Sequence, residues 1–180
     1  MTAAGLANFI QNYSFMKKLL LLVAVFAAVN SYGQKPAASP HDTVSTKDIT
    51  VTYGRPYKKG RDVFGGLEKF GQVWRLGANE ATTIKFSKDT KFGDKVVPAG
   101  TYTLFALVDE KEWTFILNGV LGQWGAFSYD KNKEKDVAYA KAEVKKLDAP
   151  VEQLTIRFSD DDMIVEWDMT KVAVKVKPQK

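Results

Sequence analysis

The chain has 180 residues, 45% of them hydrophobic and 26% charged, a balance that fits one folded domain and argues against overall disorder. It contains no cysteine, which excludes disulfides, thiolate metal sites and cysteine nucleophiles. The net charge of +5 is mild, and Lys17 and Lys18, in a segment expected to be removed, contribute two of those charges, so nucleic acid, which usually meets a concentrated basic face, is not an expected partner.

Residues 1–15 carry no charge and no pattern and read as an upstream extension, with translation starting at Met16. Met16-Lys17-Lys18 then leads into eleven apolar residues, Leu19 to Val29, followed by the small residues Ser31 and Gly33. A charged start, a short apolar run and a small-residue cleavage point define a signal peptide over 16–33, cleaved after Gly33. The apolar run is shorter than the roughly 20 residues of a spanning helix, so the mature form is expected to lack a stable membrane span and to be periplasmic or secreted. Residues 34–47, with Pro36 and Pro40, read as a flexible leader. The folded domain is expected over 48–177.

Within that domain apolar residues alternate with polar ones. Ile49, Val51 and Tyr53 oppose Thr50 and Thr52; Thr82, Ile84 and Phe86 oppose Thr83 and Lys85; period two predicts half-buried strands. Gly93-Asp94 predicts a hairpin reversal, and Pro98-Ala99-Gly100 the next turn. Thr101–Val108 is apolar on both faces toward its end, as a central strand would be. Trp113–Leu117 follows it. Leu154–Phe158, Met163–Trp167 and Val172–Val176 alternate in the same way, with Asp160-Asp161-Asp162 as a turn. Asp136–Leu147 permits either a helix, by its alanines, or a strand, by the alternation of Val137, Tyr139 and Lys141. Many short strands with regular turns predict an all-β chain, an antiparallel β-sandwich of about eight to nine strands.

The chemistry available to such a chain is narrow. His41 is the only histidine and lies in the leader, where it reads as solvated, so histidine-based catalysis and metal binding are not expected. No Gly-x-Ser-x-Gly occurs, and Gly60–Gly65 is followed by Gly66-Leu67 where a phosphate loop needs Lys-Ser/Thr. Asp160, Asp161 and Asp162 read as a solvated turn in preference to a calcium site. No cofactor is expected. Trp74, Arg75, Asn79 and Glu80 combine a planar donor fork, matched acceptors and an aromatic ring, the mix of a polar-ligand site; the competing reading is an Arg75–Glu80 pair that pins a loop while Trp74 fills the core. Gln123–Phe127 and Tyr129 add loop aromatics, with Trp124 foremost. Arg55, Lys58, Lys59 and Arg61 form a basic run suited to an acidic ligand or, more simply, to a solvated loop.

Three stretches carry a family resemblance: Arg55-Pro56 with Gly60–Leu67; Val73–Thr82, including Trp74-Arg75-Leu76-Gly77-Ala78-Asn79-Glu80; and Pro98–Leu104 with Gln123–Phe127. Together they resemble exported bacterial domains, common in Bacteroidetes, that form a domain-of-unknown-function family. The resemblance spans about Ile49 to Val176. It implies export and a β-rich fold, favours a strand over Asp136–Leu147, and implies no activity. The reading that follows is an exported, non-catalytic module binding a polar envelope ligand, a glycan or peptide, through Trp74, Arg75, Asn79, Glu80, Trp124 and Arg61. The alternatives are a purely structural or interaction domain, and a carboxylate-based hydrolase using Glu80 with Asp62, Glu68 or Glu166.

Overall fold

The computed structural model describes residues 39–180. The upstream extension, the signal peptide and the first part of the leader lie outside the described residues. Ten strands form: β1 (His41–Ser45), β2 (Ile49–Gly54), β3 (Gln72–Trp74), β4 (Thr83–Phe86), β5 (Thr90–Phe92), β6 (Lys95–Val97), β7 (Gly100–Val108), β8 (Glu112–Asn118), β9 (Asp136–Ser159) and β10 (Asp162–Pro178). One four-residue helix, α1 (Tyr129–Asn132), precedes β9.

The strands pair along the path β1-β2-β4-β7-β8-β9-β10-β5-β6, every pair antiparallel. On the edge of β7 away from β8, β4 takes Gly100–Thr103 and β3 takes Ala106–Val108. Two expectations change. First, β1 pairs residue for residue with β2, so the stretch read as a flexible leader supplies the first strand; its polar sequence, His-Asp-Thr-Val-Ser, buries little and gives no apolar signal. Second, Asp136–Leu147 is strand, as the resemblance favours, but it is not a separate one: it runs unbroken into Leu154–Phe158 as a 24-residue β9, while the last two expected strands merge into the 17-residue β10.

Both long strands bend where they change partners. The β9–β10 register jumps between Val151↔Asp168 and Lys146↔Thr170, leaving residues 147–150 as a corner that holds Pro150, a residue unable to donate to a ladder. Asp168 sits opposite with φ 52°, and its carboxylate takes Lys58 Nζ at 2.8 Å. The bends fold the path over on itself. One core cluster therefore joins Val51, Ile84, Leu104 and Phe115 from one layer to Phe92, Ile156, Val165 and Val174 from the other. At one end Phe64, Trp74, Trp113 and Trp167 pack together, Trp74 stacking on Trp167 at 5.9 Å and meeting Trp113 edge-on at the same distance. The outer face of β7 and β8 has its own small cluster: Phe105 and Ile116 lie under Ala126 and Tyr129 of the loop after β8. Among the described residues no helix is long and apolar enough to cross a membrane.

Candidate functional site

Two segments distant in sequence meet on one surface. The loop after β3, residues 75–82, is forced into a tight course: Leu76 and Asn79 have φ 54° and 65°, and a Cβ on Gly54 would come 2.0 Å from the Ala78 carbonyl oxygen. Thr82 stitches this loop closed through its Oγ1 on the Leu76 carbonyl (2.8 Å) and its N–H on the Arg75 carbonyl (3.1 Å). The loop after β8 then docks on it, with Ala81 N–H bonding the Gln123 carbonyl (2.9 Å) and Gly125 N–H bonding the Asn79 carbonyl (3.0 Å). Those two bonds flank the antiparallel pair Glu80↔Trp124. A pair so flanked is the non-hydrogen-bonded kind, in which the two side chains share a face and approach most closely.

Trp124 is 59% exposed and Phe127 83%, values far above those of the other aromatics of the domain core. Glu80 Oε2 lies 3.2 Å from His41 Nε2, with both side chains about half exposed. His41 is solvated, as expected, but it does not lie in a leader: it opens β1 and touches the candidate surface. Asn79 Nδ2 donates to the Ser39 carbonyl (3.2 Å), fastening the same stretch of chain. Arg75 and Glu80, expected as partners under the structural reading, do not pair. Arg75 Nε bonds the Gly77 carbonyl (3.2 Å), and its Nη1 lies under Gly125, 2.9 Å from where a Cβ would stand and next to the Phe127 ring.

The remaining sequence candidates are placed elsewhere. Trp74 is 3% exposed and donates its Nε1 to the Gly77 carbonyl, so it stacks on core rings and is closed to a ligand. Arg61 donates to the carbonyls of Lys58 (2.8 Å) and Tyr57 (2.7 Å), bracing its own loop. Arg55 likewise bonds the Leu154 carbonyl and Thr155, so the basic run is a largely exposed loop, as the simpler reading expects, in which Arg55 and Arg61 are tied to neighbouring chain. Asp161 and Asp162 pair with Lys177 and Lys175. Among the described residues no three His, Asp or Glu side chains converge as a metal site would require.

Glu68, named from the sequence as a possible carboxylate partner of Glu80, is largely desolvated, which raises its carboxyl above the usual range, and the charges of Arg75 and Arg61 only partly oppose this. One feature escaped sequence reasoning, a polar network under the aromatic loop. Buried Asn118 donates to the Asn132 carbonyl (2.8 Å) and Asp136 (2.7 Å), and accepts from Val120 N–H (3.0 Å) and Gln123 (3.1 Å). Gln123 in turn accepts from Ser128 (3.1 Å) and Asn132 (3.0 Å), and Asp136 accepts from the hydroxyls of Tyr129 and Tyr139. Every polar atom of Asn118 is used, so the loop that presents Trp124 and Phe127 is held, not loose.

Of the hydrolase partners, Glu166 is taken by Arg157 through two hydrogen bonds (2.9 and 3.1 Å) and lies on β10, with its carboxyl held below the usual range by that pair. Glu80 is engaged by His41.

The described residues thus form an antiparallel β domain folded into two layers, with a hydrogen-bonded aromatic loop on its outer face. The chain belongs to the family described as protein of unknown function (DUF2911), whose model matches residues 35–176. That match begins upstream of β1, in accord with the place of β1 in the sheet. No curated protein and no solved structure matches the chain.

Proposed function

We propose that the protein is an exported, non-catalytic module that binds a neutral glycan on the surface formed by Trp124, Glu80, His41, Arg75 and Asn79. The observation that carries this reading is the Glu80↔Trp124 pair, which sets an exposed indole directly beside a carboxylate and an imidazole. An aromatic face suits the apolar side of a sugar ring, and acceptors and donors at its rim suit the hydroxyls. A neutral ligand is favoured because this stretch carries one carboxylate, Glu80, and one guanidinium, Arg75, so neither sign of charge dominates it. The network on Asn118 supports it further, since a pre-set platform loses less entropy on binding.

A glycan array probed with the purified protein, followed by titration of tryptophan fluorescence, tests the reading. Trp124→Ala is expected to weaken a binding glycan by roughly tenfold or more, the scale of a central aromatic contact, while leaving the melting temperature within about 2 °C. Retention of binding by Trp124→Ala, or an array with no positive glycan, would sink it. The structural alternative has its own support, since Trp74, Arg55 and Arg61 all serve packing or backbone bracing. It expects Arg75→Ala to lower the melting temperature sharply with no ligand to lose.

A further inference from the structure

The tryptophan cluster at the end of the domain leaves one polar atom unused. Trp74 and Trp167 each donate their indole N–H to a carbonyl, of Gly77 at 3.2 Å and of Glu152 at 3.3 Å. Trp113, 1% exposed, makes no such bond within the described residues. Yet among those residues no sealed side-chain nitrogen or oxygen lacks a partner, so the sliver of Trp113 that meets solvent includes its Nε1. That sliver opens on a hollow of about 280 Å³, which Trp113 lines together with Phe64, Phe70, Asp109, Glu110 and Thr170. The hollow shares no lining residue with the Trp124 surface.

Its walls are fixed by backbone bonds. Val144 N–H bonds the Lys111 carbonyl (2.8 Å), which sets the β7–β8 turn, with Asp109 and Glu110, beside β9. Gly71 N–H bonds the Val108 carbonyl (2.9 Å) and ties the loop carrying Phe64 and Phe70 to the same turn. Gly65 stands at φ 85°, and a Cβ there would lie 2.7 Å from Cε2 of Phe70, so the bare glycine seats the Phe70 ring. Phe64 meets Trp113 edge-on at 4.8 Å. No lysine or arginine lines the hollow, so its lining carries two negative charges and none positive. Lys69, next to Phe70, is turned back onto the Gly65 carbonyl (3.4 Å). Lys111 and Lys141 line the neighbouring hollow, where Glu112 holds Lys141 at 2.7 Å.

We infer that this hollow binds a small organic ammonium with a hydroxyl close to its charge, an amino alcohol or amino sugar. Each requirement comes from a different group. The indole N–H donates only, so it calls for an acceptor oxygen on the ligand. Asp109 and Glu110 accept only, so they call for donors, and their charge favours a cation. The rings of Phe64 and Phe70 take the hydrocarbon face of the ligand or the ammonium itself. A plain hydrocarbon would leave the polar groups unmet, and an anion would face two carboxylates. A bare metal ion would meet aromatic walls and an N–H that cannot ligate it. The volume is just below the roughly 300–1,000 Å³ of drug-sized ligand pockets, which suits one sugar ring or something smaller.

The test uses the isotope-labelled full chain with glucosamine and ethanolamine as probes. It follows the indole proton of Trp113, assigned through its connection to the Trp113 backbone amide. Either probe is expected to move that resonance saturably, with half-saturation at about 1 mM, and the tighter of the two tells a sugar source from a lipid headgroup. Asp109→Asn combined with Glu110→Gln lies at exposed positions and spares the turn's own Asp109–Glu110 hydrogen bond. This pair is expected to weaken binding by roughly tenfold, and Phe70→Ala by a similar factor. Glucose lacks the charge, propylamine lacks the hydroxyl and glucuronate reverses the charge; each is expected to bind at least about tenfold more weakly. Trp124→Ala should leave the binding unchanged, which separates the result from the glycan reading. A Trp113 resonance that stays in place up to about 20 mM of both probes overturns the inference. So does equal binding of glucosamine and glucose, or of ethanolamine and propylamine, or undiminished binding by the Asp109→Asn, Glu110→Gln chain. Movement of the Trp124 resonance in place of that of Trp113 overturns it as well.

Discussion

Two glutamates respond to pH in opposite senses, because burial acts on one and pairing on the other. Glu68 is desolvated and its carboxyl is raised, so the folded state disfavours its charge. Below the unfolded value, about 4.3, both states are protonated and Glu68 contributes nothing; as pH rises through that value and the higher folded one, its ionisation weakens the fold. Glu68→Gln should therefore raise the melting temperature at pH 7, with the gain closing as pH is lowered to about 3. A melting temperature lowered at pH 7 would show that attraction to Arg75 and Arg61 outweighs burial. Glu166 is held low, first by its hydrogen bonds to Arg157 and then by the nearby charges of Arg157 and Lys171. Its contribution is present above the unfolded value and is lost as pH falls through the folded one. Glu166→Gln should cost about 1 kcal/mol at pH 7, tempered by the exposure of Arg157, and converge with the parent in acid, as denaturant melts at both pH values would show.

The loop between β8 and β9 shows how an element is held by polar groups where apolar ones are turned outward. Asn118→Ala removes four hydrogen bonds and leaves Gln123 and Asp136 short of partners, a loss of about 2–3 kcal/mol, or roughly 5–10 °C in melting temperature. It should also speed amide exchange across residues 119–128 before the sheet yields. Exchange unchanged in that loop would mean that Phe105 and Ile116, packing under Ala126 and Tyr129, suffice to hold it. None of this was readable in the sequence, because Asn118, Gln123 and Asp136 are ordinary polar residues until the chain closes them together. Period-two strands were readable: Ile49, Val51 and Tyr53 point inward as the alternation requires. Ala138, Ala140 and Ala142 also point inward, and their helix propensity misleads only because small residues are what the Gly93 hairpin tip leaves room for. β3, three residues long, is too short to show any period. At the candidate surface the residue types were legible and their geometry was not: Glu80 meets Trp124 and His41, neither near it in sequence, whereas Trp74, adjacent to Arg75, turns inward.

Across the whole domain, stability without disulfides rests on one folded-over sheet whose edges must be managed. β1 is one of those edges. It covers β2 along five pairs, adds the hydroxyl contacts Thr43–Thr52 and Ser45–Thr50, and supplies Asp42 to Arg55 and His41 to Glu80. Each contact is small, yet together they shield the backbone of a strand whose other face is core. A chain beginning at Asp48 should therefore be less stable than one beginning at Ser39 by about 2 kcal/mol or more, the sum of several net hydrogen bonds and the half-buried Val44. It should also associate more readily, since removing β1 exposes the hydrogen-bonding edge of β2. Thermal melts and sedimentation of the two truncated chains would decide it. Equal stability would mean that β1 is an ornament on a sheet complete without it. The predicted loss would instead place β1 inside the domain, in accord with a family match that begins upstream of it, and would make His41 and Ser39 structural supports of the surface that carries Trp124.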